Sequence, residues 1–349
     1  MAEKPFPILF IASARLGEAI QASGLIKRLR EEVPNARFTI VAGSPSALLF
    51  ADTPGLDRLI VHDEGGAFST LRLWRKVRGR HWGLIVDLRG TGVSRFLRRR
   101  RRAVWKAPRQ PTHKVMQAAQ LLRLDDDPPA PFLFTGPDTE AQAFDRTYGE
   151  RPILAVAPGA SWVGKTWPAE RFAAVAARML SPSGPMADGR LMILGDASTR
   201  DAARAVKLAV SRDRTILEPG QLGPLATYAC LKRARLVIGN ESAATLLGAA
   251  AGAPTLALFG PSDERVDAPW GPNAHVLRGP RDFAAFKRLD PALDQAVCHM
   301  LDLSVDMVIG AAQQLLAETA IPEAAVPEAE NIELEATEPE RPETESEDG

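Results

Sequence analysis

The sequence predicts an α/β protein of two doubly wound, parallel-sheet domains facing each other across a cleft, followed by a disordered acidic tail. Three observations carry this. Short apolar runs of strand length alternate with segments of helical periodicity, twice over, on either side of a proline-rich break. The chain has 349 residues, more than one typical domain requires. Beyond Glu318 there are no aromatics, and glutamate, proline and alanine dominate, so this segment cannot bury enough apolar surface to offset its ordering entropy.

The first cycle predicts a strand over 7–13, then a helix over 18–32 with Ile20, Leu25, Ile26 and Leu29 on its apolar side. Strands follow over 37–42, 59–62 and 82–88. Such alternation indicates a parallel sheet covered on both faces. Asp125-Asp126-Asp127-Pro128-Pro129-Ala130-Pro131 breaks the pattern and reads as a linker. The second cycle predicts strands over 153–157, 190–194, 236–238 and 255–259, with helices near Glu170, Asp201, Leu225 and Ser242. A final amphipathic helix covers 304–316. The expected division is a first domain over 1–149, a second over 150–303, a terminal helix over 304–317 and the tail over 318–349.

Charge is balanced only in total. The segment from Glu318 onward holds twelve acidic residues against Arg341 alone, a net of −11, so the remainder, with 42 basic and 31 acidic residues, carries +11. That charge concentrates at Arg95, Arg98 to Arg102, Lys106 and Arg109. The run has three readings: a solvated basic face, a site for anionic lipid head groups or a phosphorylated glycolipid, or a nucleic-acid contact. No helix-turn-helix, zinc finger or aromatic platform accompanies it, so a nucleic-acid partner is not expected. Only Cys230 and Cys298 are present, without C-x-x-C spacing, and free thiols in a reducing compartment are expected. Ile8 to Ala12 is too short for a signal-peptide core, and the apolar stretch from Ala243 to Phe259 is interrupted by glycines and Pro254. A cytoplasmic protein is expected, peripheral at most to the inner face of the membrane.

The most informative segment is Pro158-Gly159-Ala160-Ser161-Trp162-Val163-Gly164-Lys165-Thr166-Trp167-Pro168. It follows a buried strand and precedes a helix. Small residues let backbone amides approach an anion, and a lysine adds a mobile positive charge. The spacing is not that of a Walker loop. It reads as a phosphate site or, equally, as a tight turn with a solvated lysine. At Arg15-Leu16-Gly17-Glu18 a glycine turn places a carboxylate at the carboxyl edge of the first sheet, where clefts of doubly wound folds open. Glu18 is then either a general base or a carboxylate complementing a helix dipole. Gly239-Asn240-Glu241-Ser242-Ala243-Ala244-Thr245-Leu246 opens another helix after a strand. Its amides can hold a diphosphate while Glu241 accepts from sugar hydroxyls, or Ser242 is a plain helix cap. Phe259-Gly260-Pro261-Ser262-Asp263 is expected to close the same pocket. No G-x-S-x-G, H-E-x-x-H or G-x-G-x-x-G pattern occurs, which argues against serine hydrolases, zincins and Rossmann dehydrogenases.

These four segments, in this order, resemble glycosyltransferase family 9, the ADP-heptose:lipopolysaccharide heptosyltransferases. The resemblance covers roughly residues 7 to 316, and the Lys-x-Trp-Pro of Lys165 to Pro168 is its most specific part. It implies a GT-B architecture and inverting, metal-independent transfer of heptose from an ADP-activated donor to the inner core of lipopolysaccharide or a similar glycolipid. No cofactor is implied. Glu18 falls on the family's catalytic carboxylate and Lys165 on the group stabilising the departing ADP. Gly159, Ala160, Ser161, Glu241, Ser242 and Ala243 fall on donor-binding positions, and Arg15 and Gly17 on the acceptor side. Three departures stand out: Glu18 where the family usually has Asp, Glu241-Ser242-Ala243 where it has Asp-Ser/Thr-Gly, and Leu246 where it has His. They motivate an alternative, a degenerate member that binds a sugar nucleotide or a partner without catalysis.

Overall fold

Among the described residues, eleven strands form two sheets, parallel throughout. The computed structural model describes residues 4–63, 65, 68–293 and 296–319, and the tail expected to be disordered lies outside the described residues from 320 on. The first sheet contains β1 (Phe6–Ile11), β2 (Ala36–Ala42), β3 (Leu56–Val61), β4 (Trp82–Asp87) and β5 (Arg99–Val104), in the order β3-β2-β1-β4-β5. The second contains β6 (Ile153–Ala157), β7 (Arg190–Ile193), β8 (Thr215–Leu217), β9 (Leu236–Asn240), β10 (Thr255–Phe259) and β11 (Ala274–Arg278), in the order β11-β10-β9-β6-β7-β8.

Each sheet reverses direction of strand addition once, between β1 and β4 and between β6 and β9. Loops leaving the carboxyl ends of those neighbouring strands diverge and leave a crevice, which is where ligands bind in open α/β sheets. Register places Ile8 between Phe38 and Leu84, and Ala155 between Met192 and Val237. Ile8, Leu9, Phe10 and Ile11 are all buried, as is every residue of β6, because helices cover both faces. Each Ile, Leu, Val or Phe side chain among them contributes roughly 1.5–3 kcal/mol by leaving water.

Differences from the expected elements have local causes. The helix expected over 18–32 is two, Leu16–Gln21 and Gly24–Glu32. Between them Ser23 Oγ donates to the Ile20 carbonyl at 2.6 Å and accepts the Phe132 amide at 2.9 Å. The linker backbone runs so close to Gly24 that a Cβ there would stand 2.2 Å from the Ala130 carbonyl. Helix Pro137–Thr147 then packs on helix Pro224–Leu231 and β8. The arginine run is also a strand: β5 pairs with β4, Arg101 opposite Leu84, while Arg100, Arg101 and Arg102 stay exposed. It lacks apolar alternation because it is an edge, where charge discourages pairing with another chain. β8 and β11, likewise absent from the sequence reading, are the two outer strands of the second sheet.

Candidate active site

The two crevices meet in one cleft of about 710 Å³. Arg15, Gly17 and Glu18 line it from the loop and helix after β1. Gly159, Ala160 and Ser161 enter from the loop after β6, and Glu241, Ser242 and Ala243 from that after β9. Lys165 does not line the cleft itself. Its Nζ lies 2.5 Å from Glu241 Oε1, so it pairs with a residue that does. The turn at Phe259 to Asp263 does not close the pocket; Gly260 packs against Met300, and Asp267, at the end of the short helix Glu264–Asp267, lines the cleft instead.

Local packing decides how each loop runs. Gly159 is needed because a Cβ there would come within 2.1 Å of Thr199 Cγ2. Asn240, fully buried at the end of β9, joins the loops: its Nδ2 donates to the Pro158 carbonyl at 2.7 Å, and its Oδ1 accepts the Trp167 amide at 3.0 Å. Trp167 is core, 0% exposed, with its indole N–H on the Leu303 carbonyl at 2.9 Å. The Trp-Pro pair therefore anchors the loop and does not touch the cleft. Ser242 Oγ accepts the Thr245 amide at 3.3 Å and caps helix Ala243–Ala250. That leaves the first-turn amides of Ala243 and Ala244 without intrahelical acceptors beside the cleft, at the positive end of the helix dipole. Leu246 packs towards Gly17, whose Cβ, if present, would stand 3.2 Å from Leu246 Cδ1. At this position the two halves meet through an apolar contact.

Glu18 is bonded at both oxygens. Ser13 Oγ donates to Oε2 at 2.6 Å, Lys114 Nζ to Oε1 at 3.1 Å, and Arg15 Nη1 approaches Oε1 at 3.5 Å. Burial raises the pKa of this carboxyl, but the Ser13 bond and the Lys114 and Arg15 charges outweigh burial and hold it below its usual value. It is ionised at neutral pH. Glu241 moves the other way: burial pushes it up, opposed by the Lys165 ammonium. Lys114, Asp267 and the turn Gly195 to Thr199, all on the cleft, escaped the sequence reading. None lies in a recognisable spacing; only the folded chain brings them to the site. Among the described residues no group of three or more His, Cys, Asp or Glu is arranged to hold a metal ion, and no helix is long and apolar enough to cross a membrane.

Two doubly wound halves whose loops converge on one cleft from both switch points form a GT-B architecture. The model of glycosyltransferase family 9 (heptosyltransferase) matches residues 71–294, and the chain belongs to that family. It is 22% identical over 309 residues to lipooligosaccharide heptosyltransferase 2 of Haemophilus influenzae, covering 78% of this chain and 88% of the relative. Its fold matches the E. coli ADP-heptose LPS heptosyltransferase II at a TM-score of 0.70 and 17% identity, over 90% of this chain and 99% of the other. A family 9 glycosyltransferase from Veillonella parvula matches at 0.73 and 20% identity, over 91% and 99%.

Proposed function

We propose that the protein transfers a heptose, or a closely related sugar, from an ADP-activated donor to the inner core of lipopolysaccharide or a similar glycolipid, with inversion and without a metal ion. One observation carries this: an ionised Glu18 on one wall of the cleft faces small-residue loops and a helix N-terminus on the other. Glu18 takes the proton of an acceptor hydroxyl while its oxygen attacks the anomeric carbon from the side opposite the leaving group. The new C–O bond forms as the bond to the donor phosphate breaks, and ADP leaves with that electron pair. Amides at Ala160, Ser161, Ala243 and Ala244 receive the diphosphate, and Glu241 accepts from donor hydroxyls. Lys165 exchanges its Glu241 partner for the departing phosphate, supplying the positive charge that the leaving group needs. Gly159 lets the loop approach closely, and Arg15 and Gly17 border the acceptor side. The ADP-heptose named for the E. coli relative supports the donor assignment.

Transfer assays with ADP-heptose, together with thermal shift against ADP, test this. Wild type is expected to transfer sugar, and Glu18→Gln to lose about 100- to 10,000-fold while still binding ADP. ADP binding without transfer from any sugar nucleotide would instead favour the non-catalytic reading, which Glu18, Ala243 and Leu246 motivate. Neither binding nor transfer would refute both.

A peripheral contact with an anionic membrane, on the cytoplasmic side, belongs to the same reading. Helix Ser69–Val77 buries Leu73 and Val77 and turns Leu71 and Arg75 outward, with exposed Phe68 just before it and exposed Arg78 just after. Phe96, 74% exposed, lies beside it, its carbonyl accepting the Trp74 indole N–H at 3.3 Å. Exposed aromatics ringed by arginines suit a lipid surface better than a nucleic acid. Charge reversal at Arg99 to Arg101, or Phe96→Ser, is expected to weaken sedimentation with phosphatidylglycerol vesicles at low salt. Unchanged sedimentation would leave the run as a solvated face.

A further inference from the structure

We propose that Lys114 is a positioning residue of the transfer reaction, an ammonium clamped between Glu18 of the first half and Asp267 of the second that orients the Glu18 carboxylate in the cleft. This rests on the reading of Glu18 as the base. Lys114 Nζ lies 3.1 Å from Glu18 Oε1 and 3.0 Å from Asp267 Oδ1. Ser13 holds the other Glu18 oxygen at 2.6 Å. A glutamate has one more rotatable bond than an aspartate, so its carboxylate needs a second fixed partner to stay in one place. The Ser13 hydroxyl and the Lys114 ammonium together supply that constraint.

Lys114 is itself held by its neighbours. It opens helix Lys114–Leu122, and the preceding His113 caps that helix by accepting the Val115 amide at Nδ1, 3.2 Å away. With Nδ1 an acceptor, Nε2 carries the proton of the neutral ring and donates to the Ala268 carbonyl at 2.9 Å. The His113 ring also packs on Trp270, centroids 4.8 Å apart, and Gln21 Nε2 donates to the same Ala268 carbonyl at 3.1 Å. The segment carrying Asp267 is thus fastened to the residues flanking Lys114. The charged groups facing Glu18 are Lys114 and Arg15, and Arg15 is 82% exposed and screened by water. Facing Lys114 from the other half is Asp267. Without the ammonium, two carboxylates share this part of the cleft.

The test compares pH profiles of kcat/KM for wild type, Lys114→Met, Lys114→Arg and Asp267→Asn, with Glu18→Gln as the control for the base. Removing a cation beside a carboxylate raises its pKa, so Lys114→Met is expected to move the acid limb up by about one pH unit. Its kcat is expected to fall at least about 10-fold, since a misplacement of about 1 Å can cost about 100-fold. Lys114→Arg is expected to recover much of both. Asp267→Asn removes a negative charge and releases the far end of the clamp, so kcat falls without an upward shift of the limb. A merely structural lysine would lower the active fraction at every pH and leave the limb where it was. The proposal is overturned if Lys114→Met keeps the wild-type limb and kcat while Glu18→Gln is inactive. Full transfer by Glu18→Gln would overturn the base reading, and this proposal with it.

Discussion

Asn240→Ala is expected to damage this protein more than any single change on the cleft surface. The Asn240 side chain is 0% exposed and satisfies two buried backbone groups, the Pro158 carbonyl at 2.7 Å and the Trp167 amide at 3.0 Å. Alanine leaves both without a partner. An orphaned buried group costs about 1–3 kcal/mol, so the pair costs about 2–6 kcal/mol, a large share of a typical native stability of 5–15 kcal/mol. The two bonds join the loop bearing Lys165 to the loop bearing Glu241, so ADP affinity is expected to weaken along with stability. Asn240→Asp provides a control. It keeps the acceptor for Trp167 but turns a carboxylate oxygen towards the Pro158 carbonyl, and is expected to be no more stable than the alanine variant. Urea unfolding followed by tryptophan fluorescence measures the first effect, and calorimetric titration with ADP the second. A stability loss below about 1 kcal/mol with unchanged ADP affinity would refute the idea that Asn240 staples the two loops.

Three further outcomes are expected. Gly159→Ala should abolish donor binding through its clash with Thr199 Cγ2, and Gly159→Ala/Thr199→Ser, which removes that methyl, should recover part of it in an ADP thermal-shift assay; no recovery would place the fault elsewhere. Lys165→Met should destabilise the fold by about 3–5 kcal/mol, because Glu241 is left largely buried without its cation. A carboxyl whose folded-state pKa is raised destabilises most above that pKa and ceases to do so below its unfolded value, so this loss should be larger at pH 8 than at pH 4, and Glu241→Gln in the same background should reverse it. Burial pushes the Cys230 thiol up to about 11, whereas Cys298 is only partly buried, so a thiol reagent at pH 8 should modify Cys298 alone until urea is added; rapid native labelling of both would contradict this.

What was legible in the sequence was local. The strands β6 and β10 coincide with their expected ranges because fully buried parallel strands are continuous apolar runs. The terminal helix Val305–Glu318 begins at its expected serine, Ser304, whose hydroxyl accepts the Met307 amide at 3.2 Å. Three of the four segments that suggested the family supply residues to one cleft, and their order along the chain is the order of the loops after β1, β6 and β9. The fourth, Phe259 to Asp263, supplies no residue to the cleft lining; Gly260 lies against Met300, and Arg278 donates to the Gly260 and Ser262 carbonyls. β5 was hidden for the opposite reason: an edge strand of arginines pairs through its backbone and leaves no apolar signature.

The sequence by itself determined the class of fold, the two cycles of strand and helix, and the residue types that three of the cleft loops present. Those are properties of short segments, set by periodicity, caps and turns. Only the tertiary structure decided which of these groups share the cleft and what each of them is paired with. Glu18 and Lys114 are 96 positions apart, and Gln21 and Ala268 are 247 apart, so no local pattern encodes their contact. They meet because both sheets open their crevices at the same cleft. There, burial and neighbouring charge draw the two carboxyls apart, lowering one and raising the other.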